Sequence, residues 1–252
     1  MSSPFTIHEH NKELSNEIPK LLNWLYQYQN EQCINFFDEI IDSGFLQTLH
    51  FDCLSLYPKM LSFDLPLRPA LYYDYADIDE KDKLPARVST ADFESCNNLY
   101  KDLSEVFSRQ LVLIAGLNNL LKRGDANLFS EQKRFNKHQQ PVKAFSSLNN
   151  YANVDLGQKL DAIDDSFFAF NQEAIDNQLR NGIAHFKYEY HESTQLITYY
   201  PFREGIERVK GVEIQFIEFM RKNLLLFREN HSLNHIIKSL LYYTILILKK
   251  DI

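Results

Sequence analysis

Apolar positions recur at helical spacing through most of the chain. Leu21, Leu22, Leu25, Tyr28, Ile34, Phe37, Ile40 and Ile41 predict a helix over residues 18–41, stopped at Gly44, with a shorter helix over 46–61. From Ser89 the spacing of Phe93, Leu99, Leu103, Val106, Phe107 and Leu111 predicts a long helix toward Leu121, capped by Thr90 or Asp92. Gly116 is a tolerated weak point within it. Lys122-Arg123-Gly124 ends it, with the cations suiting the helix dipole and Gly124 suiting the C′ position. The next stripe, Ile163, Phe167, Phe170, Ile175 and Leu179, predicts a helix from Asp161 or Asp164 to about His185.

Then the period changes. Phe186-Lys187-Tyr188-Glu189-Tyr190-His191 alternates strictly, and Gln195–Tyr200 follows after Glu192-Ser193-Thr194. This predicts a β-hairpin, with Phe186, Tyr188 and Tyr190 on one side and Lys187, Glu189 and His191 on the other. Pro201 ends it, and a final helix or helix pair is expected over 206–227 and 233–248. The fold class is therefore mainly α, a helical bundle with one hairpin near 186–200. Residues 62–90 hold Pro66, Pro69, Pro85 and the charge run from Asp77 to Lys83. They read as an irregular connection that separates an N-terminal helical region, 1–90, from a second region, 91–252. Tyr72, Tyr73 and Tyr75 within it are either a base-stacking platform or packed loop aromatics.

Composition narrows the class. In 252 residues, 44% are hydrophobic and 24% charged, with Tyr 14 and Phe 19 abundant and Gly 7 and Pro 8 scarce. That is a globular balance, and long enough for a sizeable core. No apolar run reaches membrane-spanning length and the start has no signal-peptide pattern, so a membrane is not expected. Cys33, Cys53 and Cys96 form no CxxC, which suits reduced thiols in a cytoplasm. The formal net charge of −7 opposes indiscriminate coating of nucleic acid. It is uneven: residues 1–98 carry 16 acidic against 7 basic side chains, and the remainder 18 against 20. Within 122–143 six basic residues, Lys133, Arg134 and Lys137 among them, face two acidic ones. A patch contacting an RNA backbone and a solvated loop are both consistent with that run.

The most specific chemistry lies in Asn177-Gln178-Leu179-Arg180-Asn181-Gly182-Ile183-Ala184-His185. A guanidinium keeps its charge and suits a phosphate, while an imidazole exchanges protons near neutrality. Side chains advance by about 100° per residue, so Arg180 and His185 start roughly 140° apart. Asn181 and His185, four apart, share a face. Arg180 is long enough to curl toward that face, and a two-fold axis beside the segment would bring two copies together. A cation and a histidine near a helix end also simply neutralise its carbonyls.

Arg180-Asn181-x-x-x-His185 resembles the Arg-x4–6-His signature of the HEPN superfamily, whose Arg is often followed by a polar residue such as Asn. The resemblance implies a helical bundle carrying the motif at the end of a core helix, and a homodimer with a composite active site. It implies a metal-independent endoribonuclease with no cofactor, of a toxin, antiphage defence or RNA-processing system, with RNA and an antitoxin or defence-system component as partners. His185 would move the proton, Arg180 would stabilise the phosphorane-like charge and Asn181 would orient the phosphate or the His185 tautomer. Lys187 and His191 would add weaker RNA contacts. The alternative is a non-catalytic HEPN-like interaction or ligand-binding module, since some members keep the fold without the activity. In members paired with a nucleotidyltransferase antitoxin, a modified Tyr stands two residues after the His; here that position is Lys187 and Tyr188 follows.

Other constellations are thinner. His231 and His235, at i and i+4, suit a shared metal, but no Cys or carboxylate at ligand spacing completes the set. The chain has no Gly-rich phosphate loop and no nucleophile elbow.

Overall fold

The computed structural model describes residues 18–25, 27, 31–63, 70, 93–164, 170–171, 173–200 and 210–249. The chain is mainly helical with a small antiparallel sheet. After a helical run over residues 18–25 come α1 (Glu31–Asp42) and α2 (Phe45–Ser62), joined through Gly44 at φ 68°. The long α3 (Phe93–Arg123) is followed by short helices α4 (Glu131–Arg134), α5 (Leu148–Tyr151) and α6 (Leu156–Ala162). Then come α7 (Asn177–Ala184), strands β1 (Tyr188–His191), β2 (Leu196–Tyr199) and β3 (Val212–Gln215), and α8 (Phe216–Leu246).

The chain divides into two compact units, each drawn from separated stretches. The first takes 1–4, 54–105 and 171–229, and the second 5–53, 106–170 and 230–252. The expected division near residue 90, the caps Thr90 and Asp92 and the stacking residues Tyr72, Tyr73 and Tyr75 lie outside the described residues.

In the first unit the sheet has the order β1-β2-β3, all antiparallel. Tyr188 pairs with Tyr199 and Tyr190 with Ile197, so the expected alternation holds and these four residues share one face. That face packs on the start of α3 and of α8. Phe93 stacks on Tyr190 with ring centroids 3.9 Å apart, and Phe216 meets Phe93 edge-on at 5.5 Å. Asn97 Nδ2 donates to the Tyr188 hydroxyl at 3.0 Å. Aromatic pairs of this kind each contribute about 0.5–1.5 kcal/mol beyond area burial.

In the second unit every residue from Leu111 to Leu120 is buried, including Asn118 and Asn119. Such a helix shows no polar stripe because it has no solvent face there. The buried amides are satisfied: Asn118 donates to Asp164, and Asn119 to the Ala126 carbonyl at 2.9 Å. Arg123 bridges to Asp164 at 3.0 Å and also donates to Asn119 and Leu128. The Arg123 bonds hold the Asp164 carboxyl below its ordinary range. Gly124 ends α3 at φ 75°, its N–H donating to the Leu120 carbonyl at 2.9 Å, as its sequence position indicates. Gly116 is more than tolerated. A methyl there would stand 2.9 Å from Phe36 ring atoms and 2.9 Å from Leu148 Cδ1. Gly116→Leu is therefore expected to destabilise the chain by about 1–3 kcal/mol in thermal or urea unfolding.

Two expectations are corrected. No single helix runs from 161 to 185: α6 ends at Ala162, and Ile163 is extended at φ −88°, ψ 99°. Asp155 and Asp176 supply the caps of α6 and α7, while Asp164 is engaged by Arg123. Residues 212–215 form a strand rather than helix, because pairing with β2 overrides the helical spacing of their apolar side chains. Residues 216–246 form one helix, the first of the two expected alternatives. Among the described residues no helix is long and apolar enough to cross a membrane. The three cysteines are buried thiols that form no disulfide.

Candidate functional site

Helix α7 carries Arg180 and Asn181, with His185 as its C-cap. Its first turn is fixed by one carboxylate. Asp176 Oδ1 accepts the Leu179 N–H at 2.9 Å, and Oδ2 accepts the Tyr199 hydroxyl at 3.4 Å and lies 3.8 Å from Lys222 Nζ. The cap is thereby tied to β2 and to α8. Burial, reinforced by the Asp176 charge, pushes the Tyr199 hydroxyl up to about 12 and raises that of buried Tyr100 as well. Both phenols remain hydrogen-bond donors at neutral pH. Asp176→Ala is expected to cost about 1–2 kcal/mol through the lost cap, read by urea unfolding.

The inner face of α7 is Leu179 and Ile183, at 0% and 1% exposure, with Gly182 between them. A methyl on Gly182 would sit 3.1 Å from Tyr199 Cβ and 3.5 Å from the Lys187 carbonyl oxygen. The glycine therefore sets how closely the helix approaches β2.

The far end closes as a Schellman motif. Phe186 N–H donates to the Ile183 carbonyl at 3.3 Å, and Lys187 N–H to the Gly182 carbonyl at 2.7 Å. The C′ residue is Phe186, left-handed at φ 56°, where glycine is usual. It is therefore not the first residue of the strand face, as alternation suggested. The residue is 77% exposed, and its ring centroid lies 4.8 Å from Lys101 Nζ. A left-handed backbone costs an L-residue about 1–2 kcal/mol. Phe186→Gly is expected to raise stability by about 1 kcal/mol, seen as an upward shift of the melting temperature.

Two of the three motif side chains, Arg180 and Asn181, meet. Arg180 Nη1 donates to Asn181 Oδ1 at 3.3 Å, and its Nη2 lies 4.0 Å from Glu105 Oε2. The guanidinium thus reaches the Asn181 amide, four residues before His185. Asn181 and His185 are exposed, and His185 N–H donates to the Asn181 carbonyl at 3.0 Å. Among the described residues the His185 ring makes no hydrogen bond or ion pair.

The expected RNA contacts are less unified. Lys187 follows the motif directly and is half-buried. His191 shares its sheet face with Glu189 and Glu213, so that face is not a basic platform. Lys133, Arg134 and Lys137 belong to the second unit, whereas the motif belongs to the first. They flank a compact turn in which Asn136 Oδ1 accepts the His138 and Gln140 N–H groups at 2.8 and 3.0 Å. Arg134 lies over the Phe135 ring at 5.5 Å.

Asp176, Tyr199, Tyr100 and Glu105 were not singled out from the sequence. Asp176 alone carried a signal, as an Asp immediately before a helical segment. Among the described residues no group of three or more His, Cys, Asp or Glu side chains is arranged to hold a metal. Comparison with protein-family models, curated proteins and solved structures returns no match.

Proposed function

We propose that this chain is a metal-independent endoribonuclease that uses Arg180, Asn181 and His185. The reading rests on the HEPN-like motif and on one observation, the Arg180 guanidinium bonded to the Asn181 amide four residues before exposed His185. In RNA a 2′-hydroxyl adjoins each linkage. Removing its proton lets the oxygen attack the neighbouring phosphorus, and the 5′-oxygen leaves as it gains a proton. His185 is the group that transfers protons, and Arg180 stabilises charge gathering on the non-bridging oxygens. The products are a 2′,3′-cyclic phosphate and a 5′-hydroxyl. DNA, lacking the nucleophile, is inert. In this reading the chain works as a homodimer in the cytoplasm, with two α7 ends forming the composite site and an antitoxin or defence-system component controlling it.

The second reading, a non-catalytic interaction or ligand-binding module, is favoured by the Arg180–Glu105 approach, since a guanidinium with a carboxylate partner also suits a purely structural role. The two part on a substrate carrying a single 2′-deoxy nucleotide at a mapped cleavage position. Cleavage lost at that position alone, with cyclic-phosphate ends elsewhere, is the expected result. Cleavage at the deoxy position, or 5′-phosphate products, would overturn the mechanism.

A further inference from the structure

We infer that His231 and His235 form a chelating pair for a divalent transition cation of the zinc or copper class. Both lie on α8, one turn apart, and their Nε2 atoms face each other at 3.2 Å. Imidazole–zinc bonds of about 2.0–2.1 Å at a tetrahedral angle place two ligand nitrogens roughly 3.3 Å apart. The pair therefore already holds the spacing that a shared ion requires. The ring planes stand at 81° with centroids 4.7 Å apart, an edge-on arrangement in which the rings do not collide.

The backbone between them is pinned. Ser232, Leu233 and Asn234 are 1–2% exposed, and Ile236 and Ile237 beyond are equally closed. The two histidines themselves are half-buried, so an ion can reach them. The nearby Lys238 charge opposes a cation, so moderate affinity is expected. Imidazole nitrogens select borderline ions such as Zn²⁺ and Cu²⁺ over Mg²⁺ and Ca²⁺. Two protein ligands leave the remaining positions to water. This site is separate from the proposed RNA chemistry and does not depend on it.

The probe is Zn²⁺ alone, titrated calorimetrically into the metal-free full chain in a non-chelating buffer. One ion per chain is expected, with affinity at least tenfold weaker in both His231→Gln and His235→Gln, and a melting temperature that rises with zinc in wild type only. No saturable binding by wild type leaves the contact between the two rings as a hydrogen bond, and overturns the site. Undiminished binding in both variants places the ion elsewhere and also overturns it. Where a variant fails to fold, histidine ring resonances of the wild type decide: two of them shifting with one equivalent of Zn²⁺ supports the pair, and none or others shifting contradicts it.

Discussion

Arg180→Lys is expected to cleave RNA roughly 10²–10³-fold more slowly than wild type, nearly as poorly as Arg180→Ala. The reason is shape rather than charge. A guanidinium presents parallel N–H donors in a rigid fork, so it can hold Asn181 Oδ1 with Nη1, at 3.3 Å, and still offer other donors to a phosphate. An ammonium is a compact point charge, and lysine at this position would reach either partner but not both. Arg180 is also 28% exposed at its side chain with Glu105 at 4.0 Å, so the site is open enough for a phosphate to displace that carboxylate. His185→Ala is expected to lose about 10²–10⁴-fold through the missing proton transfer. The double variant should fall little below the worse single one, because the groups act on one transition state. Single-turnover rates on a short RNA check this. A lysine variant at the wild-type rate would show that only charge is needed at position 180.

The second large effect concerns stability. Glu229 is 2% exposed, and its Oε2 has no hydrogen-bond partner among the described residues. Burial pushes its carboxyl up to about 7, against partial relief from a hydrogen bond involving the Asn171 backbone and from the Arg228 charge. Between about pH 4.5 and 7 the folded state thus holds a proton that the unfolded chain has released. The sign follows from linkage. The contribution is fully present below the unfolded pKa and is lost as pH rises through the folded one, because the folded chain binds more protons in that window. Stability attributable to Glu229 therefore declines between about pH 4.5 and 7, by roughly 3 kcal/mol in total at 1.36 kcal/mol per unit. Glu229→Gln removes this loss. Urea unfolding at pH 5 and pH 8 should show the two proteins similar at the lower pH and the variant more stable by up to roughly 3 kcal/mol at the higher. Equal stabilities at pH 8 would mean that the carboxylate is solvated on ionisation.

What the sequence disclosed follows from how local each cause is. The Tyr188–Tyr190 alternation and the Lys122-Arg123-Gly124 ending were readable because their determinants lie within a few residues. The start of α7 was misplaced because apolar residues at helical spacing continue back to Ile163, while the boundary is set by the Asp176 cap and its bonds to Tyr199 and Lys222. Strand β3 could not be seen in Val212–Gln215, since its reason is a partner strand rather than its own pattern. Nothing in the sequence marks Phe186 as left-handed rather than as a strand residue; the Schellman bonds from Phe186 and Lys187 impose it. Of the site, Arg180, Asn181 and His185 were legible as chemical types in a motif. The Asp176 cap, the Gly182 approach to Tyr199 and the Glu105 partner depend on segments distant along the chain.

The most direct measurement compares wild type, Arg180→Ala and His185→Ala on a mixed RNA pool with excess chelator present, after circular dichroism has shown all three folded. The account predicts cleavage by wild type alone, leaving 2′,3′-cyclic phosphate ends. Cleavage retained by both variants would remove Arg180 and His185 from the active site, and wild-type activity that vanishes with the chelator would contradict a metal-independent reaction.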